Sequence, residues 1–182
     1  MTSGITNAQG STRINEQSFV NTKGKNNTTR SSSIVINYSG MDLYYNVGNS
    51  YPQTDKVTAL YSINYYDIYP PFPSNFTPSS NIMGQEVLTQ DAINSSISIK
   101  GLSTASFIKN IDNDNWTRNY IWYDTKGRAI STYSRNHLGG FTQTETELDY
   151  VGVSKKTRTY HSRANATTPS VIIEENFSYD DQ

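Results

Sequence analysis

The stretch "YIWYDTKGRAISTY" (residues 120–133) decides the fold, because strand-forming residues flank a four-residue break that begins with Asp and ends with Gly. At the first position of a type I turn, the Asp124 carboxylate can accept hydrogen bonds from the turn backbone. At the fourth position, Gly127 can adopt a positive φ and close the hairpin with a bulge. The stretch therefore predicts a β-hairpin, and we interpret Asp124 as a structural residue rather than a catalytic one.

The C-terminal half continues this organisation from Leu102 onward, with strand-like runs separated by short polar segments. The runs cover residues 103–111, 116–123, 128–135, 141–150, 153–162 and 171–179. Separators as short as "DTKG" and "NHLGG" can join only antiparallel neighbours. No segment of the chain shows a sustained helical period. The sequence therefore predicts an all-β fold, an antiparallel meander of consecutive β-hairpins.

The N-terminal half is less regular. Residues 1–33 are polar and rich in turn formers, which predicts an arm or loop. Residues 34–47 have strand composition with a "YSGM" break, so we expect a hairpin or a bulged strand. Residues 56–69 alternate as a strand does. The segments "QEVLTQDA" and "SSISIKG" are short strand candidates.

Four of the six prolines occur together, at Pro70, Pro71, Pro73 and Pro78. Proline donates no ladder hydrogen bond, so this segment must lie outside the sheet, as a boundary or as an excursion that covers an edge. We therefore predict a polar arm over residues 1–33 and a β-sheet unit over residues 34–182, which a proline-rich loop at 68–81 interrupts.

The composition excludes several classes of function. A net charge of −1 gives no electrostatic reason to bind nucleic acid or an anionic membrane. No apolar run approaches the ~20 residues of a transmembrane helix, and the first residues carry no apolar secretion signal. Hydrophobic residues make up only 34% of the chain, while Tyr, Thr, Ser and Asn are abundant, as expected for a sheet with much amphipathic surface.

The candidate chemical groups are few. His137 lies between two predicted strands and His161 ends one, so a zinc site is not expected. Glu145 and Glu147 share one face of a strand, and they carry the hydrolase hypothesis, which has the least support. The segment "DNDN" lacks the later Gly and Glu of a calcium-binding loop. We predict that the chain is not an enzyme and that it has no catalytic residue, no metal and no cofactor.

Aromatic residues share one face of the strand at 116–123. Trp116, Tyr120 and Trp122 alternate there, together with Arg118. Such rings can stack on a sugar, which keeps ligand binding open. They can also pack against neighbouring strands, which stabilises a sheet by roughly 0.2–1 kcal/mol for each pair. We favour the packing interpretation.

The Asp-to-Gly break recurs along the chain. Asp149 and Gly152 repeat it in "LDYVG", and "YD" returns at Tyr179 and Asp180. The intervals between the three Asp residues are 25 and 31 residues (149 − 124 and 180 − 149), and an earlier "YYD" ends at residue 67. Recurrence at such intervals indicates a repeat array.

The motif "YDTKGR", followed by a β-run and another "YD", resembles the YD repeats of RHS proteins, the bacterial relatives of teneurins and of insecticidal-toxin shell subunits. The runs at 110–152 and 57–73, with "GQEVLTQDA", resemble segments of very large RHS-repeat proteins of the Bacteroidetes type. The resemblance covers residues 31–182. It implies that the turn residues are structural, namely Asp124, Gly127, Arg128, Asp149, Gly152, Tyr179 and Asp180.

The resemblance also implies a function. In RHS proteins the repeats form a long sheet that coils into a hollow shell around a toxic C-terminal polypeptide, outside the cell or at its surface. The self-cleaving aspartyl region and the toxin of that family have no counterpart here, so we expect a fragment of a larger protein.

We therefore expect a structural shell segment that contacts neighbouring RHS repeats and an enclosed polypeptide. A wall with solvent on both sides would have no deep apolar centre. The alternative is a carbohydrate-binding or adhesive cell-surface module that binds a glycan through Trp116, Trp122 and exposed tyrosines.

Overall fold

The computed structural model describes residues 12–23, 29–30, 36–38, 40–46, 57, 59–72, 79–88, 97–163, 169 and 171–180. These residues form a helix, α1 (Arg13–Lys23), and mostly antiparallel β-structure. The strands are β1 (Thr29–Arg30), β2 (Ile36–Tyr38), β3 (Met41–Leu43), β4 (Tyr45–Asn46), β5 (Ser62–Tyr66), β6 (Asn81–Ile82), β7 (Gln85–Glu86), β8 (Ser103–Lys109), β9 (Trp116–Tyr123), β10 (Ala129–Arg135), β11 (Phe141–Leu148), β12 (Ser154–Ser162) and β13 (Val171–Asn176).

The main sheet has seven strands in the order β13-β12-β11-β10-β9-β8-β5. From β9 to β13 each strand pairs antiparallel with the next one along the chain. This is the meander of consecutive hairpins that the short separators predict, so the all-β antiparallel fold class is confirmed. The small pairs β1–β4, β2–β3 and β6–β7 lie outside this sheet.

The strand bounds follow the sequence prediction closely in the C-terminal half. Strand β9 covers the predicted residues, and β8, β11 and β13 end two or three residues earlier than predicted. The β2–β3 hairpin confirms the prediction for residues 34–47. The strand predicted from "SSISIKG" is wrong for its described part, because the Leu102 amide donates to the Ile99 carbonyl and Gly101 has a φ of 82°, which makes this segment a turn.

The chain divides into two compact units. The first comprises Met1–Ile63 and Lys109–Asp114, and the second comprises Asn64–Ile108 and Asn115–Gln182. In the first unit, the described core residues include Met41, Leu43 and Leu60. The second unit carries most of the main sheet and the predicted turn residues.

Helix α1 falls in the segment that the sequence analysis gave as a polar arm or loop. The sequence does not predict this helix because it has no apolar stripe, and Ile14 is 79% exposed. Local signals account for it. The Thr12 hydroxyl caps the Asn15 amide, and Glu16 adds negative charge in the first turn, where the helix dipole favours it.

The second unit has an aromatic core on β9 and its neighbours, which corrects the expectation of a wall without an apolar centre. The Tyr120 and Trp122 rings lie 6.1 Å apart, and the Phe72 ring packs against both. Tyr69 stacks on Trp122, and Phe107 contacts Tyr120 edge-on. The described start of the proline-rich segment, residues 68–72, therefore covers the aromatic row through Tyr69 and Phe72.

The other half of the sheet has the solvated character that the composition predicts. Every residue of β11 is only partly buried, and every residue of β13 is exposed. Polar side chains form ladders across these strands. Thr144 contacts Thr159, and both Arg158 and Lys156 pair with Glu174. The absence of a deep core thus holds for β11–β13 but not for β8–β10.

Candidate functional site

The first Asp-x-x-Gly turn joins β9 to β10 and is closed by backbone and side-chain hydrogen bonds. The Gly127 amide donates to the Asp124 carbonyl at 2.9 Å, and the Asp124 amide donates to the Arg128 carbonyl at 2.9 Å. One carboxylate oxygen of Asp124, Oδ1, accepts from the amides of Lys126 and Arg128. Gly127 has a φ of 76°, as predicted for the fourth position of this turn.

The Asp124 carboxylate is buried and paired. Only 4% of the residue is exposed, and its Oδ2 accepts from Arg128 Nε at 2.7 Å and from Nη2 at 2.6 Å. Burial by itself raises the pKa of Asp124, but the hydrogen bonds from the side chain and backbone of Arg128 and from the Lys126 amide outweigh it and lower that pKa. The carboxylate is therefore ionised at neutral pH and holds the turn as an anion.

The second turn joins β11 to β12 and repeats the first. The Asp149 amide donates to the Val153 carbonyl, and the Gly152 amide donates to the Asp149 carbonyl. Asp149 Oδ1 accepts from the amides of Gly152 and Val153 at 2.7 and 2.8 Å. The hydrogen bond from Val153 is the largest influence that lowers the pKa of Asp149.

Each turn is followed by a β-bulge in the strand that leaves it, β10 after the first turn and β12 after the second. The register shifts between Ala129 and Ser131, which leaves Ile130 as the extra residue of β10. It shifts again opposite Glu147 and Leu148, which leaves Lys155 as the extra residue of β12. Both extra residues lie six positions after the turn Asp (130 − 124 and 155 − 149). A bulge increases the local twist, so each of the two turns is followed by a point of added twist in the sheet.

Side chains of the first turn bind the second turn. Arg128 Nη1 donates to the carbonyl oxygens of Asp149 and Tyr150, at 2.9 and 3.2 Å. Lys126 Nζ also donates to the Tyr150 carbonyl, and it lies 3.7 Å from the centre of the Tyr150 ring. Arg128 therefore serves two turns at once, because the rest of its guanidinium is held by Asp124.

The reversal between β10 and β11 lies at the opposite end of the strands. It uses the same geometry, with Asn in the place of Asp. Asn136 Oδ1 accepts from the amides of Leu138 and Gly140, and the Gly139 amide donates to the Asn136 carbonyl. In the sequence, "NHLGG" was interpreted only as a separator between two strands. The signal that could have identified Asn136 is its spacing to Gly139, which matches Asp124 to Gly127.

The remaining repeat residues lie at the same end of the strands as the Asp124 and Asp149 turns, because β5 and β13 also end there. Asp67 follows β5, and its Oδ1 accepts from the Gly101 amide at 2.6 Å. Tyr179 follows β13, and its hydroxyl donates to the Ser154 carbonyl at 2.9 Å. Asp180 lies beyond it and is exposed. The repeat therefore places its Asp residues in a row at one end of the sheet, where the strands turn.

The aromatic row is mostly inaccessible. Trp116, Tyr120 and Trp122 are exposed by 8%, 1% and 2%, respectively. Stacking of a ligand on Tyr120 or Trp122 would require Phe72 to move off both rings. The geometry therefore favours packing, the interpretation that the sequence analysis preferred, for these two residues. Trp116 differs because it lines a cleft.

The other candidate groups are held in structural contacts. Thr142 Oγ1 lies 2.9 Å from His161 Nδ1, and His137 lies in the Asn136 turn. Glu145 accepts from Gln143 Nε2 and from the Tyr160 hydroxyl. No group of three His, Asp or Glu side chains within the described part of the chain is placed to hold a metal ion.

Burial, and secondarily the neighbouring Tyr123, raises the pKa of the Tyr69 phenol, which donates to the Ile121 carbonyl at 3.0 Å. In the described residues no helix is both long and apolar enough to cross a membrane.

Comparison with known proteins gives no match to a family model, to a curated protein or to a solved structure. The family resemblance thus depends on the sequence motifs alone.

Proposed function

We propose that this chain is a structural segment of a β-sheet wall in a larger secreted or surface protein of RHS type. In this role it helps to enclose or display a polypeptide and performs no chemistry of its own. The observation that carries the proposal is the lateral repetition of one turn. The Asp124 and Asp149 reversals share two backbone hydrogen bonds, a carboxylate bond to the amide four residues later, their glycine and the bulge that follows, and Arg128 joins them.

Such repetition suits a wall because each repeat contacts mainly the neighbouring repeat. A sheet of this kind can be extended along its length without a new closed core. The solvated faces of β11–β13 support the same role, since a wall has water on both sides. The covered aromatic row on β9 then serves to hold Phe72, at the start of the proline-rich segment, against the sheet.

The outer side of β13 supports continuation of the sheet. Strand β13 is the last strand in the sheet order, and the described residues provide no strand beyond it. Val171, Ile172 and Ile173 are exposed by 49%, 58% and 51%. An apolar edge strand presents unpaired backbone groups that readily accept another strand. In the proposal, a neighbouring repeat of the longer chain supplies that strand.

The alternative, an adhesive module that binds a glycan through its aromatic row, has less support because Tyr120 and Trp122 are buried. A glycan array separates the two functions. The wall proposal expects no reproducible signal that depends on Trp122. Binding that disappears in Trp122→Ala, while the variant keeps its circular dichroism spectrum, would favour the adhesive function.

Protease protection tests enclosure directly. The protein is purified from its host as the complete polypeptide to which this sequence belongs, and it is digested before and after the assembly is opened with urea. The proposal expects a companion segment that resists protease until the assembly is opened. Arg128→Met should make that segment accessible without urea, while Arg13→Met, a change on the exposed face of α1, should not. Equal digestion of all segments in the native protein would contradict enclosure.

A further inference from the structure

The last three strands of the main sheet alternate in charge. Strand β11 contains acidic residues but no lysine or arginine, β12 contains lysine and arginine but no acidic residue, and β13 is again acidic. The charged residues are Glu145 and Glu147 in β11, Lys155, Lys156 and Arg158 in β12, and Glu174 and Glu175 in β13. The register places Arg158 directly opposite Glu145 on one side and Glu174 on the other. Opposite charges in such positions stabilise a sheet, so the alternation strengthens the pairing of these strands.

The last strand of this series, β13, keeps a negative charge that its neighbour does not balance. Glu174 pairs with both Lys156 and Arg158 of β12. The Glu175 carboxylate accepts a hydrogen bond from the Thr157 hydroxyl at 2.9 Å, and no cation of the described residues pairs with it. The described residues provide no strand on the other side of β13, so a cation for Glu175 can come from a further strand there.

Alternate residues of β13 turn their backbone groups toward that open side. The Phe177 amide donates to the Lys155 carbonyl, so every second residue back from Phe177 also bonds to β12. The N–H and C=O groups of Ile172, Glu174 and Asn176 therefore point away from β12. Prolines and bulges commonly protect an edge from strand addition, and β13 has neither a proline nor a register shift against β12.

We infer that the open edge of β13 binds one antiparallel strand rich in lysine and arginine, which continues the alternation of acidic and basic strands. The inference rests on the proposed function only for the source of this strand, a neighbouring repeat. Main-chain hydrogen bonds supply affinity in strand addition, and side chains select the partner. A second copy of this chain suits the edge poorly, because its β13 would bring two further glutamates to an edge that already carries two.

A peptide with the sequence of β12, residues 154–162, is the probe, because that strand already pairs with an acidic strand on each side. Calorimetric titration of the full 182-residue chain at low ionic strength should show saturable, sub-millimolar binding. A control peptide with glutamate in place of its two lysines and its arginine should bind at least about tenfold more weakly, because attractive cross-strand pairs become repulsive.

Hydrogen exchange locates the bound peptide. Saturation with the β12 peptide should slow exchange of the amides of Ile172, Glu174 and Asn176, which point to the open side. Ile172→Pro removes one outward N–H and no bond to β12, as proline on an edge strand can. This substitution should keep the fold and weaken peptide binding by about fivefold or more, the loss of one main-chain hydrogen bond.

Glu175→Gln tests the charge and keeps an acceptor for the Thr157 hydroxyl. It should weaken binding of the β12 peptide by about two- to fivefold, as expected for one cross-strand charge pair. Glu86→Gln, which removes an exposed carboxylate of β7, should leave the affinity unchanged.

Three results would overturn the inference: no saturable binding of the β12 peptide, equal affinity for the two peptides, or slowed exchange at sites other than β13. A dimer of the chain with protected β13 amides in the absence of peptide would also overturn it, since a second copy would then be the occupant. Failure of the peptide to bind, together with a protease-protected companion segment in the complete polypeptide, would refute the basic strand and leave the wall function intact.

Discussion

Arg128 Nη1 donates to the carbonyl oxygen of Asp149 at 2.9 Å, across the gap between two turns of the same sheet. The Nε and Nη2 of this guanidinium are bound by the Asp124 carboxylate of its own turn. One side chain thus locks a turn internally and ties it to the next one. This arrangement converts a repeated sequence motif into a lateral contact between repeats.

Removal of the Arg128 guanidinium should be costly. Arg128→Met leaves the buried Asp124 carboxylate without its partner, and the loss of one member of a buried ion pair destabilises a protein by about 3–5 kcal/mol. Because the pair is partly solvated, we expect about 2–3 kcal/mol, measured by urea unfolding. Arg13→Met should change the free energy of unfolding by less than about 0.5 kcal/mol. Equal effects of the two substitutions would show that the link between the turns contributes nothing.

The Asp124 carboxylate should make stability depend on pH. Its pKa is lower in the folded chain than its ordinary value of about 3.9, so its ionised form stabilises the fold above about pH 4. That contribution is lost as the pH falls through the folded pKa. The difference in unfolding free energy between the unsubstituted chain and Asp124→Asn should therefore be largest at neutral pH and shrink below about pH 4. A difference that stays constant from pH 7 to pH 3 would refute this account.

Gly140 should be intolerant of a side chain for reasons of space rather than backbone conformation. A Cβ atom there would lie 2.6 Å from the Ser162 carbonyl oxygen and 2.7 Å from that of Arg163, so β11 and the end of β12 would have to separate. Gly140→Ala should cost about 1–3 kcal/mol of unfolding free energy, as overpacking does.

Gly101→Ala provides the comparison for Gly140. Gly101 has a φ of 82° and open space around it, so alanine there meets only backbone strain of about 1–2 kcal/mol. Hydrogen exchange separates the two causes. Gly140→Ala should speed exchange of the amides that pair the start of β11 with the end of β12, and Gly101→Ala should not.

Phe72 should shield the Trp122 indole from solvent, because the two rings lie 6.0 Å apart. In a Trp116→Phe background, where Trp122 is the remaining tryptophan, Phe72→Ala should increase quenching of fluorescence by acrylamide and shift the emission to longer wavelength. Phe177→Ala, which truncates an exposed ring after β13, should leave both unchanged. Unaltered quenching in Phe72→Ala would show that the proline-rich segment does not cover the row.

Local patterns in the sequence were sufficient to predict the meander. Strand β9, the turn at Asp124 and the turn at Asp149 depend on alternation and on Asx and Gly chemistry within a few residues, which a sequence displays directly. The contact of Phe72 with Trp122 could not be predicted in this way, because the two residues are 50 positions apart (122 − 72). Phe72 also belongs to the proline-rich segment, which has no periodicity.

The same limit applies to the cleft that Trp116 lines and to the helix. Arg118 and Arg135, which also line the cleft, become neighbours only through the register of β9 with β10, and the register depends on the bulge at Ile130. Helix α1 was not predicted because its apolar side chains, Ile14, Phe19 and Val20, do not share one face, so only the cap at Thr12 and the acidic Glu16 mark it. Features that depend on pairing register or on capping alone are thus the ones that the sequence analysis missed.

Continuation of the sheet beyond β13 is the central claim, and cryo-electron microscopy of the complete host polypeptide tests it most directly. The account predicts a further strand hydrogen-bonded to the outer edge of Val171–Asn176, and a curved sheet wall around an enclosed lumen. Strand β13 left as the terminal edge of a closed globular domain, with no lumen, would contradict it.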